Sequence, residues 1–382
     1  MKRQSSLRAA SATALTLGLG LFTFTGAASA AAPKGSSDAG HALFIETDAA
    51  AGNTVLSYLR ATDGTISFAG SYSTGGNGAS AAGATADPLA SQGGLTLVND
   101  NKELIATNPG SDTVSVFSVD GTALDLVQQI SSQGLFPDSV ASSGKYVAVV
   151  NAGGAGSVAE YVLRGHRLVA LADDVRSLGL SNTTPPDFHH AAGEVGYTPN
   201  GQHLVITTKL STNAYDVFSV GDHGTLGAVP VVTPSVNDLP FAFVFDNAGN
   251  VVATEASNSS VTTYRVNADG TLTSLGTVSD GAVALCWIST ANGYFFGSNA
   301  GSASVSTFDE SNTGSPQLVD ATAASTHAGT TDSVVSPDAH YLYVESGGAG
   351  TVDAFAIGTG GSLTPLETIF NIPEASEGIA AS

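Results

Sequence analysis

The chain has 382 residues, of which 33 are acidic and 12 basic, for a formal net charge of −21. So acidic a product repels phosphate backbones and anionic lipid, which excludes nucleic acid and anionic membrane faces as partners. A single cysteine, Cys286, rules out an internal disulfide, so stability has to come from packing.

The N-terminus reads as a targeting segment. Lys2, Arg3 and Arg8 precede the apolar run "ATALTLGLGLFTFTGA", and the small residues Ala28-Ser29-Ala30 follow it. This pattern predicts a secretory signal peptide over residues 1–30, cleaved near Ala30, and hence a secreted, extracellular product. Residues 31–40, "AAPKGSSDAG", read as a flexible leader. No second apolar run of membrane length follows, so no membrane span is expected.

From residue 41 onward the chain repeats itself. An apolar strand, a tight turn and a glycine-centred hairpin recur in "KELIATNPGSDTVSVFSV" (102–119), "KYVAVVNAGGAGSVAEYVL" (145–163) and "HYLYVESGGAGTVDAFAI" (340–357). First strands begin near Gly93, Asp138, Glu194, Phe241, Ala284 and Asp332. Their spacing of roughly 47 residues falls in the range of four-stranded propeller blades. Asn200-Gly201 and Pro337-Asp338 suit the intervening turns.

Six copies are complete and a seventh is split. Residues 41–73 supply its last three strands, and "EGIAAS" (377–382) resembles the missing first one. Pairing the two ends closes a ring and removes the free sheet edges. The sequence therefore predicts an all-β, seven-bladed β-propeller over residues 41–382, with four-stranded blades and the C-terminal strand closing the first blade. It is expected to be a monomer. The one irregular insertion expected lies at 175–193, "VRSLGLSNTTPPDFHHAAG".

In such a ring the innermost strands line a central channel, and the loops leading into them surround one mouth. Asp138, Glu194, Asp332 and Glu377 fall there, with His189, His190 and His327 in the preceding loops. Carboxylates gathered at one mouth could hold a divalent cation or act as acid/base pairs, and the histidines could serve as bases. They could equally be strand ends that accept backbone N–H bonds. No cofactor is certain and the metal assignment stays open. Nucleophile-elbow, P-loop and zinc-protease motifs are absent.

The strings "SPDAHYLYV" (336–344) and "YVAVVNAGGAGSV" (146–158) resemble the lactonase-like seven-bladed propellers, the 6-phosphogluconolactonase and carboxymuconate-cyclase type. The resemblance implies a hydrolase or isomerase acting on a small lactone-type ring compound in the channel. In the segment "GEVGYTPNGQHLVITTK" (193–209), the resemblance places the family's arginine on Glu194, its histidine on Val195 and its glutamate on Lys209. A second family arginine falls on Gly347. The expected polar residues are thus missing, and a Glu194–Lys209 ion pair is expected instead. Glu194, Lys209, His189 and His190 remain the candidate catalytic residues, and Asp138, His327, Asp332 and Glu377 the candidate ligand-binding ones. The alternative is a non-catalytic extracellular propeller that binds a ligand, glycan or protein on its loop face.

Overall fold

In the computed structural model the described residues are 41–382, so the expected signal peptide and leader lie outside them. The chain forms seven four-stranded antiparallel sheets, six of them built in sequence order from the inside outward and one with the C-terminal strand innermost. The innermost strands are Leu95–Val98, Pro137–Ser143, Val195–Tyr197, Pro240–Phe245, Leu285–Ala291, Thr330–Val335 and Ile379–Ala381. Blade 1 here is the one containing His41, and the others follow in chain order.

The last strand does close the first blade. Leu43 pairs with Ala381, Phe44 with Ala380 and Ile45 with Ile379. The Ser382 N–H donates to the Ala42 carbonyl at 2.9 Å, and the Glu46 N–H to that of Gly378 at 2.9 Å. Side chains complete the seam. Leu43 and Ile45 pack with Tyr343 and Val352 of blade 7, while Phe44 packs with Leu104 and Phe117 of blade 2. Burying either face of blade 1 therefore requires its neighbour on that side.

The burial pattern explains the text of the repeat. Second strands such as Glu103–Asn108 and Ala42–Glu46 are buried along their whole length. They lie between two neighbouring blades, so their central residues are apolar, while polar ends such as Glu46, Glu103 and Asn108 are buried as well. Outer strands such as Ala123–Ser131 face solvent, with only one residue buried, and mix polar with apolar side chains.

Alternating strand direction puts the turns between first and second and between third and fourth strands at one end of the ring. The loops from one blade to the next lie at the other end. One of these corrects the sequence reading. Besides 175–193 there is a second long insertion, residues 74–94, between the outer strand of blade 1 and the inner strand of blade 2. It crosses the mouth as a plug. The Gly110 N–H of blade 2 donates to the Asn77 carbonyl, and the Ala82 N–H donates to Pro186 in the blade 3–4 loop. The Gln92 N–H reaches Gly193, and the Trp287 indole of blade 6 donates to the Ser91 carbonyl at 2.8 Å.

Candidate functional site

Two groups of ionisable side chains sit beneath the plug, and they differ in access. The first is sealed. Lys209 opens a single helical turn, Lys209–Thr212, with φ of +41°, a left-handed conformation that is uncommon for a non-glycine residue. The side chain is fully buried. Its ammonium donates to the Phe188 carbonyl at 2.9 Å and to the Ala90 carbonyl of the plug. Its Nζ also lies 5.5 Å from the centre of the Phe188 ring and 5.0 Å from that of Phe241.

Asp87, Asp138 and Glu377 share this enclosure. The plug's Asp87 carboxyl meets that of Glu377. Glu377 also accepts the Leu89 N–H at 2.7 Å. Asp138 has neither carboxyl oxygen hydrogen-bonded among the described residues. Burial pushes Asp87, Asp138 and Glu377 above the usual carboxylate range, while the Lys209 charge pulls Asp87 and Asp138 back. Burial lowers the Lys209 ammonium and the surrounding carboxylates partly restore it.

The second group keeps contact with solvent. Glu194 and Gln92 are each only half-buried. The Glu194 carboxyl accepts the Phe243 N–H at 2.6 Å and the Gln92 side-chain amide at 3.3 Å. Burial raises it well above the usual carboxylate range, the backbone bond from Phe243 opposes this, and the Asp332 charge adds to the rise. Asp332 itself is buried and accepts the Ser333 N–H at 2.7 Å, with Gly93 and Ile379 supplying further N–H groups. Burial pushes its carboxyl up to about 7.

The expected Glu194–Lys209 ion pair does not form. In the hairpin Val195 pairs with Ile206, and the Thr207 N–H donates to the Glu194 carbonyl. Lys209 therefore falls past the end of its strand, where the helical turn aims it at the plug. The histidines stand apart from both groups. His190 pairs with Asp187 at 2.7 Å on the surface, His189 is exposed with its ring edge-on to Phe188, and His327 contacts Asp353 at 3.1 Å. Among the described residues no three His, Cys, Asp or Glu side chains converge as a metal site.

Sequence reasoning missed Asp87 and Gln92, both on the plug. The clue lay at Gly347, where the resemblance would place an arginine. A Cβ there would lie 2.2 Å from the Ala86 carbonyl oxygen and 2.9 Å from that of Ser376. The plug occupies the space a side chain would need.

Comparison with known proteins agrees with this architecture. A family model described as "Lactonase, 7-bladed beta-propeller" matches residues 46–160 and 251–378, more than half of the chain. The periplasmic gluconolactonase of Pseudomonas aeruginosa superposes with a TM-score of 0.69 at 18% identity, over 89% of this chain and 98% of that one. A protein from Lactobacillus plantarum superposes with a TM-score of 0.73 at 16% identity, over 90% and 99%. Likeness at such identity concerns the fold alone. No curated protein matches the chain. With its seven closed blades and its matched segments in both halves of the chain, the chain belongs to the lactonase family of seven-bladed β-propellers.

Proposed function

We propose that the protein is an exported, monomeric hydrolase that opens small, uncharged lactones beneath the plug, with Glu194 as the general base. One observation carries this reading. Glu194 joins a raised proton affinity to partial solvent access, whereas Lys209, Asp138 and Glu377 are closed off. A carboxylate whose proton affinity is raised is a stronger base than an ordinary one once it is ionised.

In this mechanism Glu194 removes a proton from a water as its oxygen bonds to the lactone carbonyl carbon. The ring C–O bond then breaks, and Glu194 returns the proton to the departing ring oxygen. The product is an open hydroxy acid. Gln92 holds Glu194 with one amide hydrogen at 3.3 Å, which leaves the other for the carbonyl oxygen of the substrate.

The preference for an uncharged ring follows from charge. No innermost strand carries an arginine, and a substrate phosphate or carboxylate would meet Glu194 and Asp332. Like charges in so poorly solvated a place oppose binding. A sugar lactone is the class in view, consistent with the name of the Pseudomonas aeruginosa neighbour. Export is supported by the N-terminal basic–apolar–small pattern.

Base-titrated hydrolysis of a lactone panel that includes glucono-δ-lactone tests the proposal. Glu194→Gln should lower the rate by about 10²–10⁴. The plug over the mouth favours a second reading, a propeller that only binds. Absence of hydrolysis across the panel would support that reading instead.

A further inference from the structure

A large cavity lies away from the plugged mouth. It is a groove of about 1040 Å³ formed by the turns at 198–203, 245–250, 265–268, 290–293 and 310–314. These turns join first to second or third to fourth strands in blades 4, 5 and 6. They belong to the end of the ring opposite the plug, so the groove is separate from Glu194.

Its lining is polar without being strongly charged. Asp246 and Glu310 meet carboxyl to carboxyl. Asp246 accepts the N–H groups of Ala248 and Asn250, both at 2.8 Å, and the Asn250 amide at 2.6 Å. That set of donors fixes the Asp246 carboxyl in place beside Glu310. Burial and the Asp246 charge push the Glu310 carboxyl up to about 7. With these two carboxyls and the exposed Arg265 guanidinium in its lining, the groove carries little net charge.

Donors are left over. Arg265 makes no hydrogen bond or ion pair among the described residues, and neither do the side-chain amides of Asn247 and Asn312. Half-buried Phe245 and Leu275 supply apolar surface beside them. Unspent neutral and charged donors, a carboxyl pair that accepts, apolar faces and little net charge match the alternating hydroxyl and C–H surface of a sugar. A glycosidase centre needs carboxyls about 5 Å or more apart, and a hydrogen-bonded pair is too close for that chemistry.

We propose that this groove binds a neutral carbohydrate of several sugar units, independently of whatever happens beneath the plug.

The probes are maltohexaose, cellohexaose and mannohexaose, with hexagalacturonate as an anionic counterpart, titrated calorimetrically into the intact protein. At least one neutral hexasaccharide should bind with a Kd below about 1 mM. The exposed Arg265→Ala and Asn247→Ala variants should each weaken it several-fold, while Glu194→Gln leaves it unchanged. Failure of all three neutral probes overturns the proposal. So does tighter binding of the anionic probe, or binding that both groove variants leave intact.

Discussion

The Lys209 ammonium donates to the backbone carbonyl of Phe188 at 2.9 Å and makes no contact with Glu194. A lysine expected to face the substrate instead ties the 175–193 insertion to the plug through Phe188 and Ala90. It is also the cation among Asp87, Asp138 and Glu377. Lys209→Met should therefore act on stability before activity. Removing one side of a buried charge cluster costs about 3–5 kcal/mol. A lower urea midpoint is expected. An unchanged midpoint would show that the enclosure does not depend on this residue.

The seat of the plug at Gly347 gives a sharper test of the same contact. An added Cβ would strike the Ala86 carbonyl at 2.2 Å. Gly347→Arg, which restores the residue type that the family resemblance places there, should unseat residues 80–92. Limited proteolysis would then cut the variant inside that segment while wild type stays intact. Equal resistance in the two proteins would mean that the plug can give way without opening.

Stability should fall as pH rises. Asp332 titrates at about 7 in the fold, against an ordinary carboxylate value near 4 when unfolded. Between those limits the native state binds more protons than the unfolded chain, so the contribution of this group is present in acid and lost as pH climbs through the folded value. Burial raises Asp138, Glu194, Glu345 and Glu377 in the same direction. The melting temperature should be higher at pH 5 than at pH 8, by on the order of 5 °C. A flat profile, or one rising with pH, would mean that water or a cation satisfies these carboxyls.

Much of this architecture can be read from residue patterns. Strand alternation and the "NG", "DG" and "PD" turns mark the blades, because each strand's two faces meet fixed environments. "EGIAAS" reveals the closure because a lone first strand needs a partner. The plug could not be read in this way. "GNGASAAGATADPLASQGG" (76–94) has no periodicity, and its order comes from contacts with residues such as Gly110, Pro186, Trp287 and Gly347, which are distant in sequence. The site was legible only in part for the same reason. Hairpin logic brings Glu194 near the end of the next strand, but a left-handed turn at Lys209 sends that side chain elsewhere.

Cys286 offers a check on the packing. Its thiol is buried, and burial raises its pKa above the ordinary range. A thiol reagent should leave the native protein unlabelled and modify one site per chain in denaturant. Rapid labelling of the native protein would place Cys286 at an open surface.

Ring closure is tested by deleting residues 378–382. The deletion strips the inner strand from blade 1 and exposes the edge at Ala42–Glu46. The shortened chain should lose its cooperative melt or associate through that edge. A monomer with a wild-type melt would separate the fold from its closure.

The most direct measurement is the pH dependence of kcat/KM for glucono-δ-lactone hydrolysis by wild type and Glu194→Gln, with the melting temperature of each recorded alongside. The account predicts a wild-type rate that rises with pH as Glu194 ionises, and a Glu194→Gln rate lower by at least about 10² with a native-like melt. A variant that hydrolyses the lactone as fast as wild type, with the same pH profile, would contradict it.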